Sequence, residues 1–310
     1  MIIVAEPVFT IVMPLFNKAA FVGATLASLA AQTFQDFEVV VVDDGSTDGG
    51  PALVEAIGGK VRLLRQSNAG PGLARNTGVA AARGEWIAFL DADDLWRPDH
   101  LQTVTETIHL CPDADVIATG FGRRHPAAGD LAEPSDAPRY IDFFREHHLI
   151  WTSAVAARRS ALLVEPFGAA WPGEDVELWI RLALHYRFAV HPARTATYVQ
   201  RTGGAMDSQT SATTVIARQP VFATLATILA DPAQSDRHPA VSAFRDRLLI
   251  DYARPALFHG QIALTRAYLG ALSDGGAEAP RLYRLLAHLP GPIVAAGARL
   301  FGATKRLFGR

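Results

Sequence analysis

Apolar positions along the first ~120 residues fall into two alternating rhythms, short unbroken runs and longer stretches with helical spacing. Residues 9–13 are a short β-rich run closed by Pro14. Residues 19–32 carry Phe21, Leu26 and Leu29 at helix-like intervals. In residues 38–42 four valines follow one acid, as in a strand buried on both faces. That run ends at Asp43-Asp44-Gly45-Ser46-Thr47-Asp48-Gly49-Gly50, eight residues without an apolar side chain. Residues 61–64 form another short run. Pro71 then opens a helix that passes through Leu73, Val79 and Ala82 to a stop at Gly84. Residues 86–90 are a third buried strand and lead straight into Asp91-Ala92-Asp93-Asp94. Pro98 begins the next helix, which ends near Cys111-Pro112. Such alternation predicts an α/β domain with a largely parallel sheet.

Beyond this the strand signals shorten. Residues 115–119 and 152–156 are expected strands, and 176–185 an expected helix. After Thr202-Gly203-Gly204 the β signal stops. The rest is rich in Ala, Leu and Arg and punctuated by Pro232, Pro239, Pro255 and Pro280, a pattern that predicts an appended bundle of helices. The expected division is a domain over 1–205, with halves 1–120 and 121–205, and a helical extension over 206–310. No internal repeat of solenoid period is visible.

Composition narrows the class. The 310 residues are 49% hydrophobic and 19% charged, which suits a globular chain able to bury a core. A formal net charge of −2 gives no electrostatic reason to expect nucleic acid as a partner. The single cysteine, Cys111, excludes an intrachain disulfide and a multi-cysteine zinc site, and fits a reducing cytoplasm. The apolar start lacks a basic leader and is interrupted by Glu6 and Pro7, so it is expected to approach a strand rather than act as a signal peptide. No run reaches the roughly 18 apolar residues of a membrane-spanning helix.

The polar clusters fall at the carboxyl ends of expected strands, the edge where ligands bind in open α/β sheets. Taken singly, Asp43-Asp44-Gly45-Ser46 is explained by a turn, and Asp91-Ala92-Asp93-Asp94 by a solvated loop with a helix cap. Two acidic clusters on one edge repel each other unless a positive group lies between them. A hard divalent cation accepts carboxylate oxygens and also neutralises a diphosphate.

Several ordered strings carry a resemblance. Pro14-Leu15-Phe16-Asn17, Val41-Val42-Asp43-Asp44-Gly45-Ser46-Thr47-Asp48, Asn68-Ala69-Gly70, Ala74-Arg75-Asn76-Thr77-Gly78 and residues 84–94 stand in sequence within residues 8–96. They resemble the opening of the family 2 glycosyltransferases with the GT-A fold, and the similarity continues more loosely to about residue 205. The resemblance implies a mixed sheet flanked by helices that binds a nucleotide-sugar. It places Pro14 at the nucleotide pocket. Asp43 or Asp44 would accept from the base, with Arg75 nearby. A carboxylate accepts but cannot donate, which suits uracil or guanine. Asp91-Ala92-Asp93 matches the family's DxD motif: Asp93 would bind Mg²⁺ or Mn²⁺, and Asp91 would face the ribose or donor sugar.

The same resemblance assigns a base. Gly173-Glu174-Asp175-Val176 matches the family's acidic pair at a helix start, which implies inverting transfer with Asp175 as base and Glu174 as the second choice. The plainer explanation is that both acids suit the helix dipole. Trp171 and Trp179 flank the pair, as sugar-stacking rings or as core. Thr152-Ser153 resembles the family's hydroxyl segment at the acceptor site. His191 and Tyr198 resemble a late segment, degraded here to Tyr198-Val199-Gln200-Arg201. His147-His148 is expected on a helix surface.

The last thirty residues contain six basic side chains and no acid. On a helical wheel Ile293, Leu300, Phe301, Leu307 and Phe308 oppose Arg299, Arg306 and Arg310. This suits a helix packed on the domain or on a second copy, or one lying on an anionic membrane. The expected partners are therefore a nucleotide-sugar donor, a saccharide or lipid-linked acceptor, and peripheral membrane contact or self-association. Two other readings share parts of the pattern. A nucleotidyltransferase would show a glycine-rich basic loop early on, whereas residues 14–20 offer only Lys18 and no glycine. A non-catalytic nucleotide- or carbohydrate-binding relative would not need Asp91, Asp93 and Asp175 intact. A nicotinamide dehydrogenase is excluded, because no G-x-G-x-x-G follows the first strand.

Overall fold

The computed structural model describes residues 6–122, 137–146, 150–169, 172–199, 220–258 and 261–273. The chain forms two compact units, Met1–Arg201 and Thr202–Arg310.

The first unit is built on a mixed sheet. Strands β1 (Phe9–Leu15), β2 (Phe37–Asp43), β3 (Val61–Arg65) and β4 (Trp86–Phe89) are mutually parallel, in the order β3-β2-β1-β4. Next comes β8 (Val155–Arg158), antiparallel to both β4 and β6 (Val116–Gly122). Strand β9 (Phe188–Thr197) runs parallel to β6 and carries β5 (Leu95–Trp96) and β7 (Arg139–Ile141) antiparallel. All seven residues of β2 are buried, as a valine run covered on both faces requires.

Helices α1 (Ala19–Ala30), α2 (Gly50–Ile57), α3 (Pro71–Ala81) and α4 (His100–Leu110) connect the first strands. The short α5 (Arg159–Val164) follows β8, and α6 (Glu174–His185) precedes β9. Helix α3 lies very close to β1: a Cβ on Gly78 would stand 2.4 Å from Val12 Cγ1. Only glycine permits that approach, and it brings Arg75, one turn upstream, over the sheet.

Two elements differ from the sequence expectation. Pro14 does not close β1 but lies inside it, paired in register with Val42. Val12 O accepts from Leu90 N, so the missing N–H of Pro14 is the one that would have continued the ladder to β4. Pairing with β4 stops at that point, while pairing with β2 on the other side continues. Residues 152–154 form a 3₁₀ turn rather than the start of a strand, and the ladder with β6 begins at Val155. The turn frees the Thr152 and Ser153 hydroxyls for side-chain partners.

In the second unit the expected helices appear as α7 (Pro220–Ala230), α8 (His238–Phe258) and α9 (Ile262–Gly270). Phe222, Tyr252 and Tyr268 pack their rings together, with centroids 5.8–6.4 Å apart. Among the described residues no helix is long and apolar enough to cross a membrane. The basic segment 281–310 lies outside the described residues.

Candidate active site

Loops leaving the carboxyl ends of β1, β2 and β4 are joined by side chains. Asn17 has φ 52°, a left-handed conformation uncommon outside glycine. Its Oδ1 accepts from Thr47 N–H at 2.8 Å, and its own N–H donates to Ser46 Oγ at 3.1 Å. Two residues on, Ala19 N–H donates to Asp48 at 2.8 Å. These bonds fasten the β1 loop to the β2 loop. Gly45 turns the latter with φ 77°, where a Cβ would approach Asn68 N to 3.0 Å.

The two acids of the β2 loop have different surroundings. Asp43 Oδ1 accepts from Ser46 N–H at 2.9 Å. Asp44 takes three donors, from Gln66 Nε2 and Ala69 N–H at 2.8 Å and Gly70 N–H at 2.9 Å. A carboxylate has about four acceptor positions. Asp44 therefore spends most of its capacity on the loop that leads into α3.

Arg75, only 4% exposed, makes its hydrogen bonds elsewhere than the acids of the β2 loop. Its Nη2 donates to Asp91 at 2.7 Å and its Nη1 to Glu174 at 3.0 Å, joining the β4 loop to the start of α6. Burial opposes the Arg75 charge, but Asp91 and Glu174 outweigh it and hold the guanidinium protonated far above neutral pH. Burial and the neighbouring Asp175 push the Glu174 carboxyl above the usual range, and Arg75 pulls the other way. Arg75 thus neutralises Asp91 and Glu174, and not the gap between the acids of the β2 and β4 loops.

The β4 loop is a tight turn in which Asp94 N–H bonds to Asp91 O at 3.0 Å. Lys18 Nζ donates to Asp93 Oδ2 at 2.5 Å, and both side chains are part-exposed. Asp94 points inward instead. It accepts from Ser153 Oγ at 2.6 Å, Trp151 Nε1 at 2.7 Å and Val199 N–H at 3.2 Å. Burial, reinforced by the Asp91 charge, pushes its carboxyl up to about 7 despite the Ser153 and Trp151 donors. Ser153 Oγ also accepts from Asp91 N–H at 3.1 Å. One hydroxyl therefore bridges the ends of the acidic loop.

Next to Ser153, Thr152 Oγ1 donates to Asp175 Oδ2 at 2.7 Å, while Asp175 Oδ1 accepts from Val176 N–H at 2.8 Å. Asp175 is thereby oriented at the first turn of α6, and Glu174 is buried against Arg75. Arg75, Asp91, Asp94, Thr152, Ser153, Glu174 and Asp175 consequently form one connected network. Lys18 and Trp151 also belong to this network, and no motif in the sequence marks either. Their signal was position alone, directly after Asn17 and directly before Thr152. Trp179 is core: it is 1% exposed and packs near Phe89 and Phe167. Tyr198 packs on Trp151 at 4.4 Å. Trp171, His147-His148, Gln200 and Arg201 lie outside the described residues.

Among the described residues no three His, Cys, Asp or Glu side chains group closely enough to hold a metal ion by themselves. Asp93 nevertheless suits an ion shared with a phosphate-bearing ligand. It is a hard oxygen donor at a part-exposed edge, and its Oδ2 already attracts the Lys18 cation.

Residues 10–157 match the family model described as glycosyl transferase family 2. The similarity to that family covers just under half of the chain, 148 of its 310 residues. Curated relatives include the putative glycosyltransferase EpsH of Bacillus subtilis (strain 168), 30% identical over 146 residues, 46% of this chain and 42% of EpsH. The succinoglycan biosynthesis protein ExoO of Rhizobium meliloti (strain 1021) is 49% identical over 102 residues, 32% of this chain and 29% of ExoO. ExoW of the same organism, also described as a succinoglycan biosynthesis protein, is 42% identical over 141 residues, 42% of this chain and 44% of ExoW. The chain thus spans less than half the length of these relatives. S. aureus TarS 1–349 in complex with UDP-GlcNAc superposes with a TM-score of 0.70 at 20% identity, covering 97% of this chain and 92% of that one. Mannosyltransferase PcManGT from Pyrobaculum calidifontis, in complex with GDP-Man and Mn²⁺, gives 0.52 at 19% identity, covering 91% and 86%. The fold of the chain is GT-A.

Proposed function

We propose that the protein transfers a sugar, with inversion, from a UDP- or GDP-sugar to a saccharide or lipid-linked acceptor of a surface polysaccharide. The observation that carries this reading is Arg75. It joins Asp91 of the β4 loop to Glu174, the neighbour of Asp175, so donor and acceptor chemistry share one frame.

In this reading Asp175 removes the acceptor hydroxyl proton as that oxygen bonds to the anomeric carbon. The bond from that carbon to the donor phosphate breaks, and the nucleoside diphosphate leaves. Asp175 is the better base of the pair because the Glu174 carboxylate is buried on Arg75. Thr152 and Val176 N–H set its orientation. Pro14, Asp43 and Asp44 flank the nucleotide, and Asp91 faces the ribose or donor sugar with Arg75 behind it. Asp93 would hold Mg²⁺ or Mn²⁺, which supplies positive charge for the departing diphosphate. Residues 1–205 are the transferring domain and 206–310 its helical extension. The activity belongs in the cytoplasm, at the inner membrane face for a lipid-linked acceptor.

The experiment is a panel of nucleotide-sugars with Mn²⁺ and candidate acceptors. Release of UDP or GDP coupled to a glycosylated product is expected. Incorporation of a nucleoside monophosphate from a triphosphate, with release of pyrophosphate, would sink the proposal.

A further inference from the structure

Lys18 is held at an electrostatically awkward place. It stands immediately before α1, where helix N–H groups make the surroundings positive, and its side chain offers no oxygen to cap them. Its backbone is fixed on both sides. Asn17 is pinned in its left-handed conformation by Ser46 and Thr47, and Ala19 N–H is bound by Asp48. From that anchor the ammonium reaches Asp93 Oδ2 at 2.5 Å. The salt bridge offsets the helix-end repulsion and joins the β1 loop to the β4 loop.

An ammonium on Asp93 Oδ2 and a divalent ion on the same carboxylate repel each other as like charges. The Lys18 and Asp93 side chains are 30% and 23% exposed, so solvent screens the pair and the ammonium has water to move into. The contact is therefore strong enough to compete and weak enough to be displaced. We propose that Lys18 is a tethered counter-ion that competes with the divalent ion for Asp93, lowering the affinity of the site for the metal. This rests on the reading of Asp93 as the metal carboxylate.

The Mn²⁺ dependence of UDP binding, followed by calorimetry, tests it in the wild type, Lys18→Met, Lys18→Arg and Asp93→Asn. Lys18→Met is expected to bind Mn²⁺ about 2- to 5-fold more tightly, the equivalent of one screened ion pair. Lys18→Arg should stay near the wild type, because it restores the competing charge. Unchanged or weaker Mn²⁺ binding in Lys18→Met, with binding lost in Asp93→Asn, overturns the competition and leaves the Asp93 reading standing. Wild-type Mn²⁺ affinity in Asp93→Asn overturns the metal reading and the competition with it.

Discussion

The indole N–H of Trp151 donates to the buried carboxylate of Asp94 at 2.7 Å, across 57 residues of sequence. Ser153 Oγ and Val199 N–H reach the same carboxylate. The acidic loop after β4 is therefore locked to the segment before β8 and to the end of β9. Replacing Trp151 by Phe keeps the ring and removes the donor. Loss of one donor to this buried carboxyl should cost about 1–3 kcal/mol in urea unfolding. Turnover should fall with it, and wild-type stability would show that the loop is held without this bond.

Arg75 is the second lock. Arg75→Met leaves Asp91 and the buried Glu174 without their shared cation, a change worth about 3–5 kcal/mol. Arg75→Lys should recover only part of that, because a single ammonium cannot hold two carboxylates in a fixed fork. Thermal melting of both variants measures the difference; equal melting of Arg75→Lys and wild type would contradict the forked geometry.

Asp175→Asn should retain UDP binding and lose transfer by about 10²- to 10⁴-fold, the range for removal of a general base. By contrast Asp93→Ala should weaken Mn²⁺-dependent UDP binding itself. Calorimetry and single-turnover assays separate the two. Unchanged turnover in Asp175→Asn would take that residue out of the mechanism.

Acid stability should depend on Glu38. This buried carboxylate accepts from Thr10 Oγ1 and from the Arg83 backbone N–H and side chain. Burial alone would raise its pKa, but the Arg83 and Thr10 bonds bring it below the usual value of 4.5. A depressed native pKa means the unfolded chain binds the proton more readily at mildly acidic pH. The stabilisation is present above pH 4.5 and disappears as pH falls through the native value. Glu38→Gln should thus be less stable than wild type at pH 7, with the gap closing as pH falls below the usual value of 4.5. A gap that stays constant from pH 7 to 3, read by urea titration, would refute the linkage.

Much of the first unit is legible in the sequence. Buried runs such as residues 38–42 and 86–90 have few alternatives to a central strand, because each residue must face packed atoms. Pro14 misled because proline breaks pairing only on the side its nitrogen faces: the ladder to β4 ends there, while β2 keeps the strand paired on the other side. Residues 152–156 misled similarly: the 3₁₀ turn is favoured by bonds from Thr152 to Asp175 and from Ser153 to Asp94, partners 23 and 59 residues away.

The site divides along the same line. Residue type and order along the chain located Asp43, Asp44, Asp91, Asp93 and the Glu174-Asp175 pair at strand and helix ends, since local pattern determines where strands stop. What those groups touch depends on loops from distant segments and on the closeness of α3 to β1 that Gly78 permits. Only the folded chain turns Asp44 toward the 66–70 loop, buries Asp94 beneath Trp151, and sets Arg75 between Asp91 and Glu174. Only there does Lys18 meet Asp93, because charges 75 residues apart interact through space and not along the sequence.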